Sequence, residues 1–447
     1  MGILDTLRTG ASGIFSASAG LDATSSNITR AQLPGATRRL LEQSTRAPLR
    51  QGLVHIGQGI QVDGIVRDNP ALLGAQRIAA AGDAGQASTL ADGLRFVAPL
   101  VDETVSSGPR STLTAFFESL TMATSDPADP NLRTAVVQAA ETLATSVVRA
   151  AEGFEASMRE FEGRIEAGVA PVNEMLKTVA AFNRQITSVE GATPDLADER
   201  DRLLRDLGEL GGFVVRFEAD DTATVYLDSH IMVQGDVART LDYEPPAGFS
   251  IPLDGSSVTV EVGGAMQGYV EAHQAVQSYA DQLDDFAGAF ANEVGTTMGL
   301  GFTANGVSGG PMFVFDASSP GLTFSVADGL TGADLAFAGQ PIAAAGDGEN
   351  LARLLSLQNQ SFVNGLTPGD ALSSITNQVA LDLAEAERAR ERSDGVLLDL
   401  DQLAENLHGI DIDEEATNLI AYQTAYQASA RVVSTAQELV GTLLEIT

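Results

Sequence analysis

Gly409 to Thr447 reads GIDIDEEATNLIAYQTAYQASARVVSTAQELVGTLLEIT, and this stretch decides the fold. Asp411 or Asp413 can cap a helix, and Glu414 and Glu415 fill its first turn, where carboxylates meet the positive end of the helix dipole. From there Leu419, Tyr426, Val433 and Val440 recur every seven residues, with Ala430 and Leu444 four positions after two of them. One side of the helix therefore carries an apolar seam. Such a helix cannot bury its stripe against itself and needs a partner in this chain or in a neighbour.

The other end of the chain supplies one. Leu7, Ile14, Leu21 and Ile28 also repeat at seven, with Leu4 and Ala11 at the companion positions and Ser18 and Ser25 at the later ones. The same run holds Gly10, Gly13 and Gly20, each costing a helix roughly 0.5 to 1 kcal/mol relative to Ala, so it is marginal alone. On pattern, an ordinary antiparallel pair closing one globular domain competes with two half coiled coils that need further subunits.

Between these ends the period changes twice. Residues 36–70 are short, Gly-punctuated and partly alternating, and read as an extended connector. Residues 71–212 and 263–408 carry helical spacing, longest from Asn131 to Phe182, where Pro171 either kinks the helix or follows its end. Within them, 302–345 is mixed and Gly-rich. From 213 to 262 the period is two, as in Phe213, Val215, Phe217 and later Val258, Val260, Val262, which marks a small β domain. The class is mainly α with a small β insertion. The architecture is nested, with residues 1–35 and 409–447 paired as a terminal coiled-coil domain around the helical body.

At 447 residues the chain is too long for one core, and at 44% hydrophobic it can bury several. Sixty acidic residues against 26 basic ones give a net charge of −34, which opposes nucleic acid or an anionic membrane as partner. The basic excess is local: eight arginines against five acids leave +3 in residues 1–80. Lys177 is the only lysine and cysteine is absent, so neither a disulfide nor a thiolate metal site is available. Residues 1–30 lack the continuous apolar run of a signal peptide, and no stretch is long enough to span a membrane.

Residue identity narrows the choice. The order DEEATNLIAYQTAYQASARVVSTAQELVGTLLEI resembles the C-terminal segment of the flagellar axial proteins of the rod, hook and hook-filament junction, and most of all their hook-associated protein 1 branch. In SSNITRAQLPGATRR, residues Ser25, Asn27, Ile28, Pro34, Gly35, Thr37 and Arg38 fit that family's N-terminal signature, while Ser26 and Leu33 replace Asn and Ala36 replaces Tyr. DLADERDRLLRDL, with Asp195, Asp198, Arg200 and Asp201, is similar to a segment that separates the hook-associated branch from plain flagellin. Asp413, Glu414 and Glu415 complete the matched positions.

The resemblance implies a structural subunit, not an enzyme, at the junction of the flexible hook and the rigid filament. It implies export without a cleaved signal peptide and an extracellular place in the flagellum. The implied partners are further copies in a ring or helix, the hook protein, the second junction protein, and a cytoplasmic export chaperone on the C-terminal helix. Assembly would run through Leu7, Ile14, Leu21, Ile28, Leu419, Tyr426, Val433, Val440 and Leu444. A rod or hook subunit would share the termini without the Asp195 to Leu207 segment; a free-standing adhesin would fold alone.

No residue set supports catalysis, a cofactor or a metal. His55, His230, His273 and His408 stand far apart, and no phosphate loop or dinucleotide fingerprint is present. Asp411 to Glu415 lacks the glycine of a calcium loop. Asp198, Arg202 and Arg205 lie at helical spacing and read as a solvated face of a structural helix.

Overall fold

Spacing of apolar residues at three and four gives ten helices in the computed structural model, which describes residues 3–33, 36–51, 54–68, 70–101, 108–188, 194–253, 255–342 and 346–446. In chain order α1 is Ile3–Arg30, followed by strands β1 (Arg39–Thr45), β2 (Leu49–Gln51), β3 (Val54–Ile56) and β4 (Ile60–Arg67). Helices α2 (Ala71–Val97), α3 (Pro109–Ala123), α4 (Pro130–Ser188) and α5 (Pro194–Gly211) come next. Seven short strands then run from β5 (Val214–Phe217) through β6 (Ala223–Leu227), β7 (His230–Gln234), β8 (Val237–Ala238), β9 (Asp242–Glu244) and β10 (Gly248–Leu253) to β11 (Ser256–Thr259). Helix α6 (Gly264–Gly299), β12 (Phe313–Val314), α7 (Pro320–Thr323), β13 (Ser325–Val326), α8 (Glu349–Ser356), α9 (Pro368–His408) and α10 (Ile412–Ile446) complete the chain. With 66% of the described residues helical and only small sheets among them, the mainly α reading holds.

Two compact units result: Met1–Ala84, Val169–Gly264 and Ser393–Thr447 form one, and Gly85–Gly168 with Ala265–Arg392 the other. The second unit has a buried aromatic centre. Phe116 meets Phe117 edge-on at 5.5 Å and Phe290 at 6.0 Å, and Phe313 stacks on Phe324 at 4.8 Å. Arg133, 6% exposed, holds the 302–345 segment without a carboxylate: it donates to the carbonyls of Pro127, Gly332 and Leu335 and lies 4.6 Å over the Phe337 ring. Among its described residues that segment forms the β12–β13 pair, isolated bridges at Phe302 and the short helix α7.

Asp284 in the same unit accepts from the Gly321 N–H at 2.6 Å. Burial lifts its carboxyl above the usual range, and Asp281 and Asp285 add to that, against the lowering effect of the Gly321 bond. A raised folded-state pKa means that the group's stabilising contribution is complete below the ordinary carboxyl range and is lost as pH rises through the folded value. Asp284→Asn keeps the acceptor and removes the charge. The variant should therefore melt higher than the parent at pH 7, with the difference vanishing at pH 3, by calorimetry at both values.

In the first unit all sheets are antiparallel. β1 pairs with β4 and β2 with β3, extending one hairpin, while β5-β6-β7-β8 and β11-β10-β9 form two small sheets. Residues expected as connector are thus a strand pair with its own register, Leu40 opposite Val66 and Thr45 opposite Ile60. Of the two readings of Pro171, that it follows a helix end does not hold, because α4 passes through it. Glycines that weaken the helical signal in α2 have a packing reason: a Cβ on Gly82 would lie 3.0 Å from the Gly208 carbonyl oxygen, and one on Gly208 would lie 2.7 Å from that of Ile78. Only bare backbone lets α2 and α5 cross so closely.

Three asparagines tie helices to extended chain by one device, the side-chain amide pairing with a peptide as a strand would. Asn27 of α1 accepts from the Arg39 N–H at 2.8 Å and donates to the Arg39 carbonyl at 3.0 Å. Asn173 does the same to Leu241. Asn183, fully buried, accepts from Ala223 N–H at 2.9 Å and donates to the carbonyls of Ala223 and Gly235. Asn183→Ala strips partners from three backbone groups, so it should cost about 2–4 kcal/mol. Hydrogen exchange at Ala223 should report it first, and unchanged protection there would count against the clamp.

Candidate assembly site

Helix α10 starts at Ile412, with Asp411 as its cap: its carboxylate accepts from the Asp413 N–H at 2.9 Å and the Glu414 N–H at 3.4 Å. Of the two candidates for the cap, Asp413 is therefore set aside, and its side chain is exposed. α10 runs antiparallel to α1, since Gly10 faces Ser429 to Val433 while Gly20 faces Tyr422. A Cβ on Gly10 would fall 2.7 Å from Val433 Cγ2, one on Gly13 2.5 Å from Ser429 Oγ, and one on Gly20 inside contact distance of the Tyr422 ring.

The heptad residues do not make this contact alone. Leu7, Ile14, Leu21 and Ile28 are half-buried, and so are Leu419, Val433 and Val440, but Tyr426 is 41% exposed and the Leu444 side chain lies outside the described residues. On α1 the fully buried face is small and polar: Gly10, Ser16, Ala17, Gly20, Ala23, Thr24 and Asn27. Beside these half-buried heptad residues, the helices cross closely on small ones. Large apolar side chains point elsewhere: Leu4 is 77% exposed, Phe15 65%, Ile420 62% and Leu439 53%. Along the pair runs a cavity of about 280 Å³ lined by Thr6, Arg431, Val432, Thr435, Ala436 and Leu439.

The root of the pair is fixed by charge. Arg38 donates from Nε to Glu415 at 2.8 Å and from Nη2 to Glu414 at 2.6 Å, and the Glu415 side chain is 2% exposed. Burial pulls the Arg38 pKa down, but bonds to the two glutamates outweigh it and hold the guanidinium above its ordinary value. Its neighbour Arg39 turns the other way. Arg30 and Arg39 reach the same oxygen of Asp198 at 2.6 and 2.7 Å, and Thr37 at 2.7 Å and Arg67 at 3.2 Å reach its other oxygen. Arg67 also meets Asp201 at 2.8 Å. Beneath them Arg200, fully buried, donates to Asp201 at 2.8 Å and to the Asp221 carbonyl, 5.3 Å from the Phe217 ring.

Three stretches far apart in sequence therefore meet. Asn27, Thr37 and Arg38 belong to the first, Asp198, Arg200 and Asp201 to the second, and Glu414 and Glu415 to the third. Asp195 sits at the rim, 83% exposed, on Arg39 at 2.8 Å, and Pro34 and Gly35 lie outside the described residues. Missed in the sequence were Arg30, Arg39 and Arg67. Arg202 does stay on a solvated face with Glu199, but Asp198 does not: it is the shared anion of the cluster. Among the described residues no group of three or more His, Asp or Glu could hold a metal, and no helix is long and apolar enough to cross a membrane.

Comparison with known proteins puts names to this arrangement. Residues 99–313 match the model of the flagellar hook-associated protein FlgK helical domain, and 407–446 that of the flagellar basal body rod FlgEFG protein C-terminal region. Flagellar hook-associated protein 1 of Bacillus subtilis is 24% identical over 97% of this chain and 96% of its own length. The chain is similar to flagellar hook-associated protein 1 over nearly its whole length. A second relative of that name, from Escherichia coli K12, is also 24% identical, covering 97% of this chain and 98% of its own. The solved flagellar hook junction protein FlgK from Burkholderia pseudomallei superimposes with a TM-score of 0.65 at 15% identity, over 74% of this chain and 99% of that one.

Proposed function

We infer that this chain is a structural subunit of the bacterial flagellum at the hook-filament junction, joining the flexible hook to the rigid filament. The observation that carries this reading is the α1–α10 pair, which leaves Leu4, Phe15, Ile420 and Leu439 exposed in a chain aligned nearly end to end with hook-associated protein 1 relatives. Copies add to a ring or helix by packing these faces on one another, so that apolar area exposed in a single subunit is buried in the wall, at about 25 cal/mol per Å². The clamp of Asp198 and Glu415 fixes the root of the pair.

Residues 1–35 with 409–447 act as the coiled-coil domain, 71–212 with 263–408 as the helical body and 213–262 as the β domain. Hook protein on one side and the second junction protein on the other are the neighbours, and an export chaperone holds α10 beforehand. The chain reaches the cell exterior through the flagellar export apparatus without a cleaved signal peptide. A rod or hook subunit shares only the C-terminal likeness, and the helical-domain match over residues 99–313 favours the junction instead. Immunogold labelling of isolated hook-filament structures tests this: a single band between hook and filament is expected, and label spread along the rod or hook would refute it.

A further inference from the structure

Helix α9 leaves part of its apolar side in water. Val396, Leu400, Leu403 and Leu407 fall at spacings of four, three and four, so they share one face. Val396 is 55%, Leu403 45% and Leu407 59% exposed, and Leu400 is half-buried. This face lies in an acidic stretch, since residues 393–415 hold eight acids and no lysine or arginine. Arg77 engages Asp401, and Arg38 engages Glu414 and Glu415. Asp399, three residues after Val396 and four before Leu403, borders the stripe and is exposed. A second α9 would bring like charge to this face, which opposes pairing of the stripe with itself.

The opposite character belongs to the β1–β4 arm. Residues 43–61 contain no acid, and Arg46 and Arg50 among them are exposed. In its own copy the arm lies along α1, where Ser16 donates to Gln43 at 2.7 Å and Arg8 to Gln58 at 3.3 Å. The Arg46 N–H donates to the Gly59 carbonyl at 3.1 Å, and a Cβ on Gly59 would fall against Ser12. Ser12 precedes Asn27 by 15 residues of α1, about 22 Å at a rise of roughly 1.5 Å each. The α9 stripe ends instead at the root of the arm, where His408 Nδ1 lies 2.9 Å from Asp68 and the Asp68 N–H donates to the Arg38 carbonyl at 2.9 Å. Arg46 is therefore held away from the stripe of its own chain.

We propose that the β1–β4 arm of one copy, led by Arg46 and Arg50, docks on the acidic leucine face of α9 in an adjacent copy. The proposal rests on the reading of the chain as a self-assembling junction subunit. Charge complementarity selects the partner: in a chain of net charge −34, a basic segment without acids is the surface that a neighbour's negative stretch attracts.

Arg46→Glu with Arg50→Glu should lower incorporation at the junction at least tenfold, and Asp399→Arg should lower it too, while the melting temperature of the dilute subunit stays the same. All three changes together should cost less than the product of the separate losses, as coupled sites do. Full multiplication, or a fall in melting temperature matching the loss of incorporation, would overturn the proposal. Position can be read directly, because the chain has no cysteine. Copies carrying Arg46→Cys, assembled with copies carrying Leu403→Cys and treated with a short bismaleimide, should give peptides joining position 46 of one copy to position 403 of another. Joining of 403 to 403 would mean that the stripe pairs with itself. Joining of 46 to 403 in a dilute chain carrying both changes would mean that the arm folds back on its own helix. Either result, or no joined peptide from assembled tiers, would contradict the proposal. Absence of the unmodified chain from the junction would count against the functional reading instead, so the two failures are separable.

Discussion

Gly20→Val is expected to part α1 from α10 and to abolish assembly at the junction while the unit Gly85–Gly168 with Ala265–Arg392 stays folded. Two effects oppose each other at this position. Replacing a mid-helix glycine by alanine favours the helix by about 1 kcal/mol, but a Cβ here meets three atoms of the Tyr422 ring, and overpacking of this kind costs about 1–3 kcal/mol. Overpacking wins because a ring set between two helices cannot swing away without losing its own contacts. Even Gly20→Ala should speed amide exchange along α10, and valine, branched at Cβ, should do so far more. Slower exchange in Gly20→Ala would mean that propensity governs α1 and that the close crossing is absent.

Asp198→Ala is expected to be the most damaging single change in the charge clamp. It leaves Arg30, Arg39 and Arg67 in a site where their side chains are 15%, 3% and 8% exposed. Removing one partner of a buried pair costs about 3–5 kcal/mol, since the remaining charge stays desolvated. Asp195→Ala is the control. Its carboxylate is 83% exposed, and exposed pairs contribute about 0–1 kcal/mol. Urea unfolding followed by exchange at Arg39, Arg67 and α5 amides separates the two, and equal small effects from both would show that Asp198 shares no special load.

Much of the fold was legible because periodicity survives without contacts. The seven-residue spacing of Leu419 to Val440 located α10, and alternation at Phe213 to Phe217 located β5. The crossing of α1 with α10 was not legible, since glycine reads as a defect in a helix until the partner that needs its missing Cβ is in place. Gly10, Gly13 and Gly20 have that partner in Ser429, Val433 and Tyr422.

The charge clamp was half legible. Thr37, Arg38, Asp198, Arg200, Glu414 and Glu415 stood out by resemblance to a family pattern, although their sequence gave no reason for them to touch. Arg30, Arg39 and Arg67 look like surface charges, being separated from Asp198 by 168, 159 and 131 residues. Arg38 and Arg39 are adjacent yet serve different acids, because extended backbone sends neighbouring side chains to opposite sides. The Asn27 clamp on the Arg39 peptide and the β1–β4 register, with Arg39 opposite Arg67, fix which goes where.

The most direct measurement is an electron cryomicroscopy reconstruction of the hook-filament junction from cells making this chain. The account predicts one ring or helical tier of this subunit with α1 and α10 antiparallel in its wall, Tyr422 seated against Gly20, and Leu4, Phe15 and Leu439 buried on neighbouring copies. Terminal helices separated from one another, or those three side chains still facing solvent in the assembled tier, would contradict it.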